Sequence, residues 1–395
     1  MSLLIKKIKP KKNIIIYMIF VFLSSLNFMS YFLSVYLLDK GNLLKTISVC
    51  FFVYQFSKFI FEIPTGFISD IYSRKLSSLM GLILLIISYI FLISNNTIVI
   101  YVSFLLRGLS ITFISGSIES LFVESVEHKE LIKYNVIERL IFYSALAISA
   151  GLGGFLIQYF GYNFTIILDS IILILTFLLV FQMDENISNR LHNKKKYVVN
   201  IKDVFKNIAD NKIITTCLLI DFANAFSFVA VEDFYSAFLK GFNLESRWIG
   251  IIMAIQFVIS ASFGFFTKKI SVYFSKEKIL YIFPVIRSVI TILIYINIFP
   301  LIFVPVIFLF QLILFAIYAP IKYQLFQKSI DSKIRATTLS LQSLMISLGS
   351  MFFYGFSSIL GSMISIEYML IIALMGTSIM LIIASNILKK QDIRI

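Results

Sequence analysis

Of 395 residues, 59% are hydrophobic and 14% charged, 42 are Phe, and Lys plus Arg exceed Asp plus Glu by 35 to 21. With a mean hydropathy of +0.93, a chain of this length has too much apolar surface for a water-soluble fold. The formal charge of +14 does not indicate nucleic acid, because no basic patch with base-reading or stacking groups on a soluble surface accompanies it.

Spans of about 20 apolar residues cross a hydrocarbon core roughly 30 Å thick. In chain order the sequence predicts them near 13–37, 44–67, 76–94, 97–121, 136–160 and 163–182. After a polar stretch they resume near 211–239, 246–267, 279–298, 301–325, 336–361 and 366–388. The expected fold is all-α: a polytopic membrane protein of twelve spans in two pseudo-symmetric six-helix bundles, 1–182 and 211–395. Within the linker 183–210, Val198, Ile201, Phe205 and Ile208 recur at helical spacing, so a short helix along the inner leaflet is expected, with a solvated tether as the alternative.

If both termini are cytoplasmic, Lys6, Lys7, Lys9, Lys11, Lys12, Arg74, Lys75, Lys194 to Lys196, Lys268, Lys269, Lys276, Lys278, Lys389 and Lys390 fall on one side. The opposite loops hold Lys40, Lys45, Lys240 and Arg247. This asymmetry follows the positive-inside bias and sets the expected orientation. Cys50 and Cys217 both fall in predicted spans, and neither a disulfide framework nor a metal spacing is visible. His128 and His192 lie in loops, and no nucleophile–histidine–acid set or phosphate-cradling glycine loop occurs, so neither catalysis nor a cofactor is expected.

Between the second and third spans runs Glu62-Ile-Pro-Thr-Gly-Phe-Ile-Ser-Asp-Ile-Tyr-Ser-Arg-Lys75, read as a short polar elbow. Gly66 can admit close approach of two helix ends, Asp70 can face a helix N-terminus, and Arg74 with Lys75 can anchor the turn. Gly264 with Lys268 and Lys269 echoes this after the eighth span, without the acid.

By Gly66, Asp70, Arg74 and Lys75, and by Arg335-Ala-Thr337 after the tenth span, the chain resembles the major facilitator superfamily over its whole length. Glu62-Ile-Pro-Thr-Gly66 is similar to a bacterial branch often assigned to drug efflux. The resemblance implies that Asp70 holds an inner gate by facing the helix start near Arg335 to Thr338; the alternative is that it only turns the chain. It also implies a fifth-helix pattern of glycines and a proline in antiporters. Here Ala145, Ser149, Ala150, Gly151, Gly153 and Gly154 keep the small residues but lack the proline, so a plain small-residue interface is an equal reading.

Charges inside spans are costly and belong against a cavity or one another. Asp221 and Arg107 lie near mid-membrane, about 16 and 15 Å along their spans at about 1.5 Å per residue. An acid at that depth without a fixed cation can load and release a proton, so Asp221 is the leading proton site, with a structural acid as the alternative. The superfamily arrangement places spans one, four, seven and ten around the cavity, so Arg107 and Asp221 are expected to face one space and to form a protonation-dependent pair. Direct binding of an anionic substrate group by Arg107, or a structural role, stays open. Asp169 and Arg287 are read as structural, and Lys58 with Glu62, four apart on one face, as an internal pair supporting the gate. Lys322 and Glu119 are expected to snorkel at helix ends. Uncharged cavity candidates are Ser25, Asn27, Tyr31, Asn224, Gln311 and Tyr318.

The expectation is a monomeric secondary transporter in a bacterial plasma membrane. It would export amphipathic drugs or natural products against protons, with lipid, protons and a small molecule as its partners. A nutrient symporter or uniporter, or a non-transporting sensor or scaffold, are the alternatives.

Overall fold

A computed structural model of the chain describes residues 10–127, 130–185, 210–264, 276–296, 300–330, 335–361 and 363–389. The linker helix expected at 198–208, and both histidines, lie outside them. All described elements are helical, in the order α1 (Pro10–Ser25), a 3₁₀ turn (Ser30–Phe32), α2 (Leu33–Asp39), α3 (Leu44–Ile71), α4 (Arg74–Leu92), α5 (Thr97–Ile114), α6 (Ser117–Ser125) and α7 (Leu131–Phe181). The second half contains α8 (Lys212–Gly241), α9 (Ser246–Gly264), α10 (Lys276–Tyr295), a 3₁₀ turn (Leu301–Phe303), α11 (Val304–Ser329), α12 (Arg335–Leu360) and α13 (Ile366–Lys389). Each of the twelve predicted spans falls on one or more of these segments. Among the described residues, however, nine helices are long and apolar enough to cross a membrane. One of the nine, Lys133–Phe181, has 49 residues, length for two crossings at about 20 residues each. Helices α8 and α10 each include side chains outside the described residues, and within α10 the stretch Ile282–Leu293 is apolar.

Four spans differ from the separate, unbroken helices expected, for three local reasons. The fifth and sixth predicted spans are merged into α7, whose one non-helical residue is Gly161, at φ 81°. Only a residue without a Cβ takes that backbone readily, so the chain reverses there without a separate loop. The fourth span breaks into α5 and α6 at Gly116, φ 72°. The first breaks between α1 and the 3₁₀ turn, where the Ser149 and Asp169 side chains of α7 capture the freed backbone.

Helices α3 with α12, α7 with α9, and α2 with α8 join the two halves. The α7–α9 crossing confirms the close packing expected of the small-residue face. A Cβ on Gly154 would lie 2.4 Å from the Ser246 carbonyl oxygen, and one on Gly250 would lie 2.5 Å from that of Ala150. With no hydrophobic drive between helices in lipid, such backbone contact is what holds them. Gly154→Val is therefore expected to separate the halves at this crossing and to cost about 1–3 kcal/mol as an overpacking substitution, read as a lower unfolding midpoint. An unchanged midpoint would show that the crossing is not a constraint.

The end of the bundle where α2 finishes and α3 begins, called here the far end, is sealed between the halves. The Ser34 hydroxyl donates to the Asp233 carbonyl at 2.7 Å, the Tyr354 hydroxyl donates to the Asp233 carboxylate, and Phe51 stacks on Tyr354 at 5.3 Å. On the same end the Ser246 amide donates to Gln158 Oε1 at 3.2 Å. Lys40 there donates to the Leu92, Ile93 and Ser94 carbonyls that end α4, and partial burial pushes its pKa down.

Candidate functional site

The motif predicted as an elbow is mostly helix. Helix α3 runs on through Pro64, Gly66 and Asp70 to Ile71, and α4 starts at Arg74, leaving only Tyr72 and Ser73 between them. Gly66 is exposed, with nothing within 4 Å of where its Cβ would be, so the close approach expected there is not made. Arg74 forms an ion pair with Glu124 at the end of α6, 2.5 Å apart, and the Lys75 ammonium lies over the Phe181 ring. A residue the sequence reading missed organises this turn. Glu185 accepts from the Ser73 hydroxyl at 2.5 Å and from the Arg74 and Lys75 amides at 2.8 and 3.1 Å, a carboxylate on the free N–H groups of a helix start. The engagement expected between Asp70 and the helix start at Arg335 rests on side chains outside the described residues.

A cavity of about 550 Å³ lies within the first half, and Ser25, Asn27, Ser30, Tyr31, Tyr54 and Arg107 line its deeper part. Arg107 reaches Ser30 Oγ at 3.4 Å and covers the Tyr89 ring at 5.5 Å. Toward the signature end the walls are Tyr17, Glu119 and Glu138. The Tyr17 hydroxyl donates to Glu138 Oε1 at 3.1 Å, and the two carboxylates repel one another electrostatically. Glu119 is thus a cavity wall, not the snorkelling helix-end residue expected. Glu138 was missed because it sits at the predicted edge of the fifth span.

Asn27 and Asp169 shape this cavity from behind. The Phe28 and Met29 amides donate to the two oxygens of Asp169 at 3.0 and 2.9 Å, and the Asn27 amide donates to Ser149 Oγ at 2.9 Å. Asn27 Oδ1 accepts from the Tyr89 hydroxyl at 2.6 Å and the Ser30 amide at 3.0 Å. A Cβ on Gly153 would fall 2.6 Å from the Phe28 carbonyl oxygen. The break between α1 and α2 is therefore a built joint, its backbone groups satisfied by neighbours that leave no room for a straight helix.

The second half has its own cavity of about 290 Å³, lined by Asp221, Asn224, Tyr318, Lys322 and Gln342, with Arg139 at its rim. Asp221 is not paired with Arg107, which lines the other cavity. Its carboxylate forms an ion pair with Lys322 and accepts from Gln342 Nε2 at 2.7 Å. The expected snorkelling of Lys322 fails for the same reason: the residue is 5% exposed and committed to an acid three helices earlier in the chain. The premise that Asp221 has no fixed cation is thus not met. Asn224 Oδ1 accepts from Arg287 Nη2 at 2.8 Å, so Arg287 on α10 supports this cavity from behind. Gln311 is buried at 1% exposure and does not line either cavity. Lys58 lies over the Tyr54 ring, and Glu62 feels Lys58 electrostatically while accepting from Ser343 of α12, so the pair on α3 does reach the other half. Glu232 and Asp233, inside the seventh predicted span, were readable by the same rule that singled out Asp221.

A bundle of paired helical halves, sealed at one end and holding polar cavities in each half, is the architecture of a membrane carrier. The family model of the Major Facilitator Superfamily matches residues 14–354. The chain belongs to this superfamily. It is accordingly a multi-pass membrane protein of a transporter family, and its relatives are transporters rather than enzymes. Of the solved structures, the D-xylose–proton symporter superposes with a TM-score of 0.73 at 13% identity, over 95% of this chain and 96% of that one. The POT family transporter PepTSo gives 0.78 at 9% identity, over 98% and 99%. The inward open xylose transporter XylE from E. coli gives 0.70 at 12%, over 95% of each. At these identities the likeness is one of fold. No curated protein matches the chain.

Proposed function

We propose that this superfamily member is a proton-driven secondary transporter that exports amphipathic organic molecules by alternating access across a bacterial plasma membrane. It acts as a monomer with both termini cytoplasmic. The observation that carries this reading is the Asp221–Lys322 pair in the wall of a cavity. A proton arriving on Asp221 removes the charge that holds Lys322, and the freed ammonium can take an anionic group or let α8 and α11 move apart. This keeps the proton role expected for Asp221 and replaces its partner.

The other sites take supporting parts. Arg107, Asn27 and Tyr31 contact substrate in the first cavity, with Asn224 and Tyr318 in the second. Gln311 and the Lys58–Glu62 pair hold their surroundings. Gly66, Asp70, Arg74, Lys75 and Arg335 form the inner gate. One elementary charge moved through 100 mV supplies about 2.3 kcal/mol, so a proton gradient suffices as the energy source. Uptake is the second reading, favoured by the fold likeness to a D-xylose–proton symporter and a nucleoside transporter.

The test is flux in proteoliposomes with an imposed pH gradient, screening fluorescent amphipathic cations, anions and neutral compounds beside xylose and a nucleoside. Expected is amphiphile movement against its gradient, reduced on the order of tenfold or more, about 1.4 kcal/mol, in Asp221→Asn. Inward accumulation of xylose or the nucleoside would select uptake, and preserved proton coupling in Asp221→Asn would remove that residue's role.

A further inference from the structure

The second cavity does not end at its polar wall. It shares Arg139, Phe315, Ala319 and Pro320 with a groove of about 430 Å³ between α7 and α9, walled by Val136, Leu140, Tyr143 and Val258. These four are 48, 47, 38 and 55% exposed, so large apolar side chains face an opening and not a protein neighbour. The groove belongs to the same helix pair that Gly154 and Gly250 clamp toward the far end. Between α7 and α9 the bundle is therefore closed at one end and open sideways at the other.

Charge is distributed along this cleft. Its polar end has Arg139 and Lys322 against the single acid Asp221, two positive charges against one negative. Lys322 is committed to Asp221, while Arg139 makes no hydrogen bond or ion pair among the described residues. Arg139 stands eight residues into α7 and is exposed, on the lining shared by the polar cavity and the groove, so its guanidinium is open to an anion at the point where the two meet. A positive head site continuous with an apolar trough matches a molecule with one acidic group on an apolar tail.

We propose that this cleft binds an anionic amphiphile, a free organic acid with its carboxylate on Arg139 and its tail between α7 and α9, and that the molecule enters sideways from the bilayer. The substrate class rests on the transport reading, but occupancy of the cleft is measured separately. The full-length protein in phosphatidylcholine nanodiscs is titrated with dansyl-undecanoic acid and with the alcohol and amine that carry the same tail. The acid is expected to bind about tenfold tighter than the alcohol, and Arg139→Gln to bring the two together. Arg139→Lys should restore most of the preference, and Val258→Trp, by filling the trough, should weaken all three probes.

Equal binding of the three probes to the native protein, or a preference for the acid that survives Arg139→Gln, overturns the proposal. Should the acid bind as expected yet never cross under a pH gradient, the transport reading falls and the site stands. Should other amphiphiles be carried while the acid fails to bind, the reverse holds.

Discussion

Asp169→Ala is expected to unfold the first half at a markedly lower temperature and to abolish transport, although Asp169 lines neither cavity. Its two carboxylate oxygens are what the Phe28 and Met29 amides donate to, at 3.0 and 2.9 Å, in a site where Asp169 is 2% exposed. Water cannot replace them there. Each donor left unsatisfied costs about 1–3 kcal/mol, so the two together cost about 2–6 kcal/mol, a large part of the stability of any domain. Asp169→Asn keeps one acceptor oxygen and should lose roughly half as much. Ser149→Ala, which removes the acceptor of the Asn27 amide, should cost about 1 kcal/mol. Cys50 and Cys217 are free and buried, so a thiol-reactive dye reports the unfolding midpoint directly. A native-like midpoint for Asp169→Ala would mean that the break in the first span holds itself. The joint would then not be the element that fixes the cavity wall.

Hydropathy and signature residues located the helical segments and the superfamily, because both are local properties: a crossing must be apolar along its own length, and the motif is contiguous. What escaped were the partners. Arg107 and Asp221 were assigned to one space from their depth and from the superfamily's placing of their spans around a cavity, yet depth fixes only the coordinate along the membrane normal and span order only the neighbourhood. Which of several polar groups at one level a side chain meets depends on helix rotation, and there Lys322 and Gln342 lie nearer Asp221 than Arg107 does. Lys322 was misjudged because α11 extends to Ser329, several residues beyond the predicted end, which moves the ammonium from the interface into the protein. Glu185 was invisible as a cap because its partners are amides of α4, more than 100 residues away. Gly66 misled in the opposite direction: a glycine in a signature suggests close packing, but the close backbone approaches in this bundle are made by other glycines, Gly108, Gly153, Gly154, Gly250 and Gly349 among them.

The joint and the ion pair place the flexible chemistry in different halves. In the first, Asp169 fixes the bend of the first span behind Arg107; in the second, Asp221 ties α8 to α11 and α12. The far end is closed by Ser34, Phe51, Asp233 and Tyr354, so the alternating access proposed above would have to break a small set of named contacts there. Their polarity would suit such an opening, since hydroxyls and a carboxylate can exchange partners with water.

The Asp221–Lys322 pair should show strong coupling in a double-substitution cycle. Lys322→Met alone strands a carboxylate whose side chain is 13% exposed, and Asp221→Asn alone strands an ammonium that is 6% exposed. Removing one partner of a buried pair costs about 3–5 kcal/mol, because the remaining charge has neither water nor a counter-ion. Removing both leaves no stranded charge, so the double variant should be more stable than Lys322→Met and should fall short of the summed losses by more than about 1 kcal/mol. Gln342 tempers the effect at Lys322→Met by keeping one hydrogen bond to the carboxylate. The double variant should nevertheless lack gradient-driven flux, since neither the proton acceptor nor the cation it governs remains. Additivity to within about 0.5 kcal/mol would show the two residues to be energetically independent. Flux in the stable double variant would place proton coupling elsewhere, with the carboxylates Glu119 and Glu138 of the first cavity the next pair to substitute.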